Sequence, residues 1–254
     1  MLIDAHAHLE MKDFDADREA VLERAASAGV EYIITVGTNL KLSQKALSLA
    51  SRYNNVFATI GIHPHDANTA TEENLAKIRE IARHPKIVGY GEIGLDFFRD
   101  LAPREKQKEA FARQLKTAAD LGLPVVIHDR EAHDLVLKMV EDSGVRRGVF
   151  HCFSGSYQMA EKCTALGFYI SIPGTVTFDK TKKTSDVVKN TPLDFLLLET
   201  DCPYLAPVPC RGKRNEPSFI IHTAKKVAQI KSLPWEEVAQ VTSRNAKKLF
   251  GFVI

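Results

Sequence analysis

The chain has 254 residues, 44% of them hydrophobic, 26% charged and 8% aromatic. Those fractions are ordinary for a globular protein and exclude disorder, collagen and coiled coil, and no apolar run reaches the roughly 18 residues of a membrane span. A net charge of +2 from 34 basic and 32 acidic residues points to no partner globally, so any charge preference must be local.

In chain order, the N-terminal run MLIDAHAHLE meets acidic residues and histidines at once and does not read as a signal peptide. Its strand-like part is LIDAH (2–6), followed by a helical pattern at 14–28 with Asp15 as the expected N-cap and Gly29 as the stop. YIITVG (32–37) and a helix at 41–52 follow, then VFATIGI (56–62) and a helix at 71–83 that Thr71 can cap. IVGYGEI (87–93) precedes the helix 104–121, in which Phe111, Leu115, Ala118 and Ala119 make the apolar face and Gly122 the stop. PVVIH (124–128) and a helix at 131–141 ending near Gly144 lead to GVFHC (148–152), a helix at 156–166 and FYISI (168–172). A helix at 179–189, the run FLLLET (195–200) and two helical stretches at 217–230 and 235–249 complete the chain. Cys152, Cys163, Cys202 and Cys210 make no CxxC pair and are expected as reduced thiols of a cytoplasmic protein, Cys152 and Cys202 as small core groups.

Eight short, β-branched apolar runs without polar alternation suit parallel strands buried on both faces. From the first strand end to the last, the repeat is about 28 residues, the size of a βα unit. No Pro/Gly/Ser linker interrupts it. The fold class expected is α/β, a single (β/α)8 TIM barrel over residues 1–254 with an extra C-terminal helix; a doubly wound sheet is the alternative.

Barrel chemistry sits at the C-terminal ends of the strands. His6 and His8, His63 and His65, Glu92, His128, His151, and Glu199 with Asp201 fall there, which takes six of the nine histidines. His84, His133 and His222 fall in helices or their margins and read as surface groups. Each neutral imidazole needs a partner, and a metal supplies one for several at once. Residues i and i+2 of a strand share a side, so His6 and His8 can grip one ion. Glu92 offers two oxygens and can bridge two ions, as two-metal hydrolytic sites require. His6, His8, Glu92, His128, His151 and Asp201 are therefore the candidate ligands.

The stretches IDAHAHL (3–9), IGIHPH (60–65), GEIGLDF (91–97), VIHDR (126–130), HCFSGS (151–156), LLLETDCPYLAP (196–207) and RGKRNEP (211–217) resemble the TatD family of metal-dependent deoxyribonucleases, over essentially the whole chain. The resemblance implies that His6, His8, Glu92 and Asp201 hold one divalent ion and that Glu92, His128 and His151 hold a second. It favours Mg²⁺ in use. The ligand chemistry leaves Mn²⁺, Zn²⁺ and Ni²⁺ open.

The expected reaction is hydrolysis of a DNA phosphodiester by a metal-activated water, exonuclease-type, with Asp201 as ligand and general base and Glu92 as bridge. His63 and Arg130 are expected at the scissile or neighbouring phosphate, with Glu199 orienting a ligand or water and His65 a weaker candidate. Arg211, Lys213 and Arg214 form a basic loop before a helix that Pro217 can open, placed for nucleic-acid backbone contacts, and Lys180, Lys182 and Lys183 lie beside it. Tyr204, Phe97 and Phe153 read as packing aromatics. No membrane and no obligate protein partner are expected. The competing function is ester or amide hydrolysis on the same site, as in a D-aminoacyl-tRNA deacylase. A retired, binding-only barrel and a purely structural metal site fit the full ligand set less well.

Overall fold

A computed structural model describes residues 1–251. Its strands are β1 (Leu2–Ala7), β2 (Val30–Gly37), β3 (Val56–Ile60), β4 (Ile87–Asp96), β5 (Val125–Arg130), β6 (Gly148–Phe150), β7 (Phe168–Ile172) and β8 (Leu196–Leu198). The helices are α1 (Arg18–Ser27), α2 (Leu40–Arg52), α3 (Glu72–Ile81), α4 (Arg104–Leu121), α5 (His133–Ser143), α6 (Tyr157–Ala165), α7 (Lys183–Asn190), α8 (Ile220–Lys231) and α9 (Trp235–Phe250). All strand pairs are parallel, and each strand lies beside its neighbours in sequence, from β1 to β8. That order is a (β/α)8 barrel and excludes the doubly wound sheet, whose strand order reverses at a switch point.

Closure between β8 and β1 comes just past the end of β8. Asp201 N donates to the His6 carbonyl (2.9 Å) and His8 N donates to the Cys202 carbonyl (2.8 Å). Asp4, fully buried, ties the same seam by accepting from Thr200 N (2.9 Å) and Thr200 Oγ1 (2.6 Å). The bonds that close the barrel are thus the bonds that bring Asp201 beside His6 and His8.

Inside the ring, Ile3, Ala5, Ile34, Phe57, Val88, Val126, Val149, Tyr169 and Leu197 form one buried cluster. Ala246, Leu249 and Phe250 of α9 join it from below, so the extra C-terminal helix stops the N-terminal end of the barrel. Each large apolar side chain in this plug contributes about 1.5–3 kcal/mol by leaving water. A larger cluster lies between the strands and the outer helices. In α4 the buried face comprises Phe111, Leu115 and Ala118, as expected, but Ala119 is exposed and Gln107 and Gln114 are buried instead. The glutamines grip backbone near the mouth: Gln107 with both Asp96 N and Asp96 O, Gln114 with Ile62 N and O.

Thr71 caps α3 as read, accepting from Asn74 N, and Gly122 and Gly144 end their helices at φ +66° and +74°. Asp15 does not cap α1. It follows a short 3₁₀ turn (Lys12–Phe14) and pairs with Arg18 at 2.6 Å, while Asp17 holds the N-cap position without a side-chain bond. Gly29 lies one residue beyond the C-cap, Ala28.

Two glycines let β4 pass close to β5 at the level of the site. A Cβ on Gly94, at φ +151°, would overlap the His128 carbonyl oxygen. Substitution of Gly94 by alanine is expected to cost about 3 kcal/mol or more through overpacking and backbone strain. A urea denaturation curve unchanged from wild type would contradict this close approach.

Candidate metal centre

Near the end of β1 the pairing register with β2 shifts: Asp4 pairs with Ile33 but Ala7 with Thr35, so three steps on β1 match two on β2. The extra residue is a bulge. It lets Ile3 and Ala5 face the interior cluster lower down while His6 and His8 both turn inward at the mouth. A matching shift in β4, where Tyr90 pairs with Val125 and Ile93 with Ile127, brackets Glu92.

Glu92 is 2% exposed and central. Its Oε2 lies 3.4 Å from His6 Nε2 and 3.9 Å from His8 Nε2. Asp201 Oδ1 joins that side, 3.3 Å from His8 Nε2 and 3.8 Å from His6 Nε2. The other oxygen, Oε1, lies 2.6 Å from His128 Nδ1, 2.8 Å from His151 Nε2 and 3.2 Å from His63 Nε2. All six residues proposed as ligands from sequence therefore converge, and the two oxygens of one carboxylate serve two separate groups.

The donor set fits divalent cations. His6 Nε2 and His8 Nε2 face each other at 3.3 Å, as do His128 Nδ1 and His151 Nε2 at 3.2 Å. Atoms ligating one ion at about 2.1 Å lie about 3.0–3.4 Å apart. Where the outer nitrogens carry the ring protons, the facing nitrogens of each pair present lone pairs to each other, a repulsion that a cation between them would remove. His6 Nδ1, Glu10 Oε1 and Glu199 Oε2 are buried without a hydrogen-bond partner.

A second ring of carboxylates stands behind the first. His8 Nδ1 lies 3.1 Å from the Val36 carbonyl and 3.3 Å from Glu10; His128 Nε2 lies 3.3 Å from Asp96; His151 Nδ1 lies 3.6 Å from Glu199. At His8 the Val36 carbonyl and at His128 the Asp96 carboxylate hold the ring proton on the outer nitrogen and leave the inner one for a metal, while His151 Nδ1 makes no hydrogen bond and Glu199 acts on it through charge alone. Glu199 thus supports His151, and its Oε1 also accepts the Cys152 amide at 2.7 Å. Glu10 and Asp96 were not expected from sequence. Glu10 continues the i, i+2 series of His6 and His8, which is the signal that could have found it. Asp96 lies beyond the assumed end of β4 at residue 93; the strand runs on to Asp96.

Burial opposes charging these groups, but the carboxylates outweigh it at His8, where Asp201 and Glu10 hold the pKa well above the ordinary imidazole value. His151 is likewise held well above it through Glu92 and Glu199, and His128 is raised through Asp96 and Glu92. Glu92, against the burial that would raise it, is held well below the usual carboxylate range by His151 and His63. His63 goes the other way: burial lowers it to about 4. Its Nδ1 accepts the His65 amide (3.1 Å), so the neutral ring carries its proton on Nε2 and is a donor toward Glu92. His65 pairs with Asp96 at 2.8 Å.

The remaining residues spread around the mouth. Arg130 stacks its guanidinium over the Phe98 ring at 4.0 Å, and Arg211 over Phe178 at 3.8 Å. Lys213 is exposed. Arg214 is engaged by Asp17 through both carboxylate oxygens (2.9 and 2.7 Å) and lies over Phe14. Pro217 opens a 3₁₀ turn that leads into α8. Of the histidines read as surface groups, His84 is exposed, while His133 pairs with Asp129 at 2.8 Å and His222 is half-buried.

The family model described as TatD related DNase matches residues 3–251. The chain belongs to this family. A Bacillus subtilis protein named as an uncharacterized metal-dependent hydrolase, YabD, is 44% identical over 98% of this chain and 99% of its own. A Cronobacter turicensis 3'-5' ssDNA/RNA exonuclease TatD is 38% identical over 98% of this chain and 97% of its own. The crystal structure of YJJV, a TatD homolog from Escherichia coli K12, superposes with a TM-score of 0.94 at 36% identity, covering 99% of this chain and 98% of that one. The chain is therefore a metal-dependent hydrolase of the TatD DNase family, and its clustered imidazoles and carboxylates are the candidate ligands.

Glu10→Gln and Glu199→Gln are each expected to weaken Mn²⁺ binding roughly 10–100-fold, because the outer carboxylates set the ring orientation. Calorimetric titration checks this, with a thermal melt of each metal-free variant to confirm folding. Unchanged affinity in both folded variants would contradict the supporting role.

Proposed function

We propose that the chain is a two-metal phosphodiesterase that removes nucleotides from single-stranded DNA ends, working as one barrel domain in the cytoplasm. The observation that carries the reading is the division of Glu92 between two groups of imidazoles. His6, His8 and Asp201 with Glu92 Oε2 would hold one ion, and His128 and His151 with Glu92 Oε1 the other, Mg²⁺ or Mn²⁺ in use and Zn²⁺ or Ni²⁺ as competent occupants. Bound there, the ions would supply a water of lowered pKa and offset charge on the scissile phosphate. The substrate class is supported by the exonuclease name of the Cronobacter relative. The compartment is supported by the four unpaired cysteines.

The protein's own groups then divide the work. Asp201 sits at the seam where β8 meets β1, and its backbone is fixed at φ +53° by the bond from its amide to the His6 carbonyl. Its carboxylate accepts the proton of the attacking water. His63 presents Nε2–H beside Glu92 and donates to a phosphate oxygen as the charge there grows. Glu199 steers His151 rather than touching substrate. Arg211 and Lys213 meet the nucleic-acid backbone, with the loop fastened by the Arg214–Asp17 pair. Four cysteines stay outside this chemistry: burial, with Asp201 and Glu199 nearby, keeps the Cys152 thiol protonated far above its ordinary pKa.

The test is cleavage of end-labelled single-stranded DNA in EDTA and after restoration of each divalent metal. Wild type should be silent in EDTA and recover with Mg²⁺ or Mn²⁺, and Asp201→Asn should lose roughly 10³-fold in kcat. Cleavage in EDTA, or wild-type turnover by Asp201→Asn, would overturn the assignment. Hydrolysis of aminoacyl-tRNA without any DNA cleavage would move the site to ester chemistry.

A further inference from the structure

Five large apolar side chains are exposed among the described residues: Met1, Phe98, Leu101, Tyr204 and Val208. Met1 precedes β1, at the end of the barrel away from the site. The other four fall in just two loops, Phe98 and Leu101 after β4, Tyr204 and Val208 after β8. In a ring of eight consecutive strands, β4 and β8 stand opposite each other. The apolar exposure of this molecule is thus concentrated on two facing sides of the mouth, with the imidazole and carboxylate cluster between them.

Both aromatic rings are set in place by groups that belong to that cluster. Asp96 receives His65 and His128 on Oδ2, while its Oδ1 accepts the amides of Phe98 (3.0 Å) and Arg99 (2.8 Å). One carboxylate therefore fixes Phe98 relative to His128. The Phe98 ring lies over the Arg130 guanidinium at 4.0 Å and is still 59% exposed. Across the mouth, Tyr204 stands edge-on to His8, 6.2 Å between ring centroids, and is 52% exposed. A hydrophobic patch for a folded partner would be contiguous. Here the apolar groups are split by a polar pocket, and each ring stands beside a cation or an imidazole. That combination suits a flexible polyanion whose units carry flat π-faces.

We propose that Phe98 and Tyr204 are stacking platforms for the bases on either side of the scissile phosphate of single-stranded nucleic acid, with Arg130 holding a phosphate beside the first of them. The proposal rests on the phosphodiesterase reading and names how that site grips its substrate. Stacking is indifferent to base identity, so the platforms give single-strand preference without sequence preference. In duplex DNA the bases are already stacked on each other and are not free to use them.

The experiment compares wild type, Phe98→Ala, Phe98→Tyr and Tyr204→Ala on two labelled strands. One is an ordinary single-stranded oligonucleotide; the other has abasic residues flanking the scissile phosphate. On the ordinary strand each alanine variant should raise KM roughly tenfold, with kcat little changed, and Phe98→Tyr should behave as wild type. On the abasic strand wild type should show the same raised KM, and the alanine variants should add nothing to it. Equal losses on both strands would mean a structural role, and no loss on either would mean no contact; each overturns the proposal. Wild-type cleavage in those cases leaves the nuclease reading standing. A wild type idle on both strands with every divalent metal contradicts the nuclease reading and this inference with it.

Discussion

Glu92 is a carboxylate almost without solvent, and much of the upper half of the barrel is arranged around that fact. An ion of this size loses several kcal/mol or more when it leaves water unless opposite charge and hydrogen bonds replace the solvent. Three imidazoles face one of its oxygens and two face the other, contributed by β1, by the segment after β3 and by the ends of β5 and β6. No single strand could supply them. A closed parallel barrel can, because every strand ends at the same rim. The constraint reaches the backbone as well: the bulges in β1 and β4 and the close pass at Gly94 are where regular pairing yields to the placement of His6, His8, Glu92 and His128.

The outward continuation of the same logic explains the second ring of acids. Each of His8, His128 and His151 stands between an inner carboxylate and an outer one, Glu10, Asp96 or Glu199. The rings of His8 and His128 are further fixed by hydrogen bonds on their outer nitrogens, to the Val36 carbonyl and to Asp96. The outer groups also reach into the scaffold: Thr35 donates to Glu10 at 2.7 Å, Cys152 N to Glu199, and Asp96 exchanges bonds with Gln107 of α4. The outer groups behind His8 and His128 are thereby tied to β2 and α4 of the scaffold. At the other end, α9 fills the barrel with apolar groups and is fastened by Asn245 to the Leu193 and Leu196 carbonyls and by Lys247 to Glu31.

The ring of strand ends was legible because parallel strands buried on both faces read as unbroken apolar runs, and each run stops where a titratable group begins. His6, His8, His128, His151 and Asp201 all follow from that boundary. The pattern carries no signal where the run itself is interrupted. Gly94 interrupts the apolar pattern just past residue 93, so the pattern gives no sign that β4 continues to Asp96 and its bond to His128. Asp15 met every local requirement for an N-cap, but a 3₁₀ turn that buries Phe14 delays the helix to Arg18. The pairing of Arg214 with Asp17 joins residues 197 apart in sequence, which no local pattern encodes. Phe98 carries no local signal: a phenylalanine beside Phe97 reads as packing, and only the path of the loop after β4 leaves it exposed.

In the proposed two-metal site the two oxygens of Glu92 belong to two cations. Anomalous diffraction from crystals grown with Mn²⁺ tests it directly. Two peaks should appear, each about 2.0–2.3 Å from a different Glu92 oxygen, one among His6, His8 and Asp201 and the other between His128 and His151. A single peak at saturating metal, or peaks that leave Glu92 uncoordinated, would contradict it.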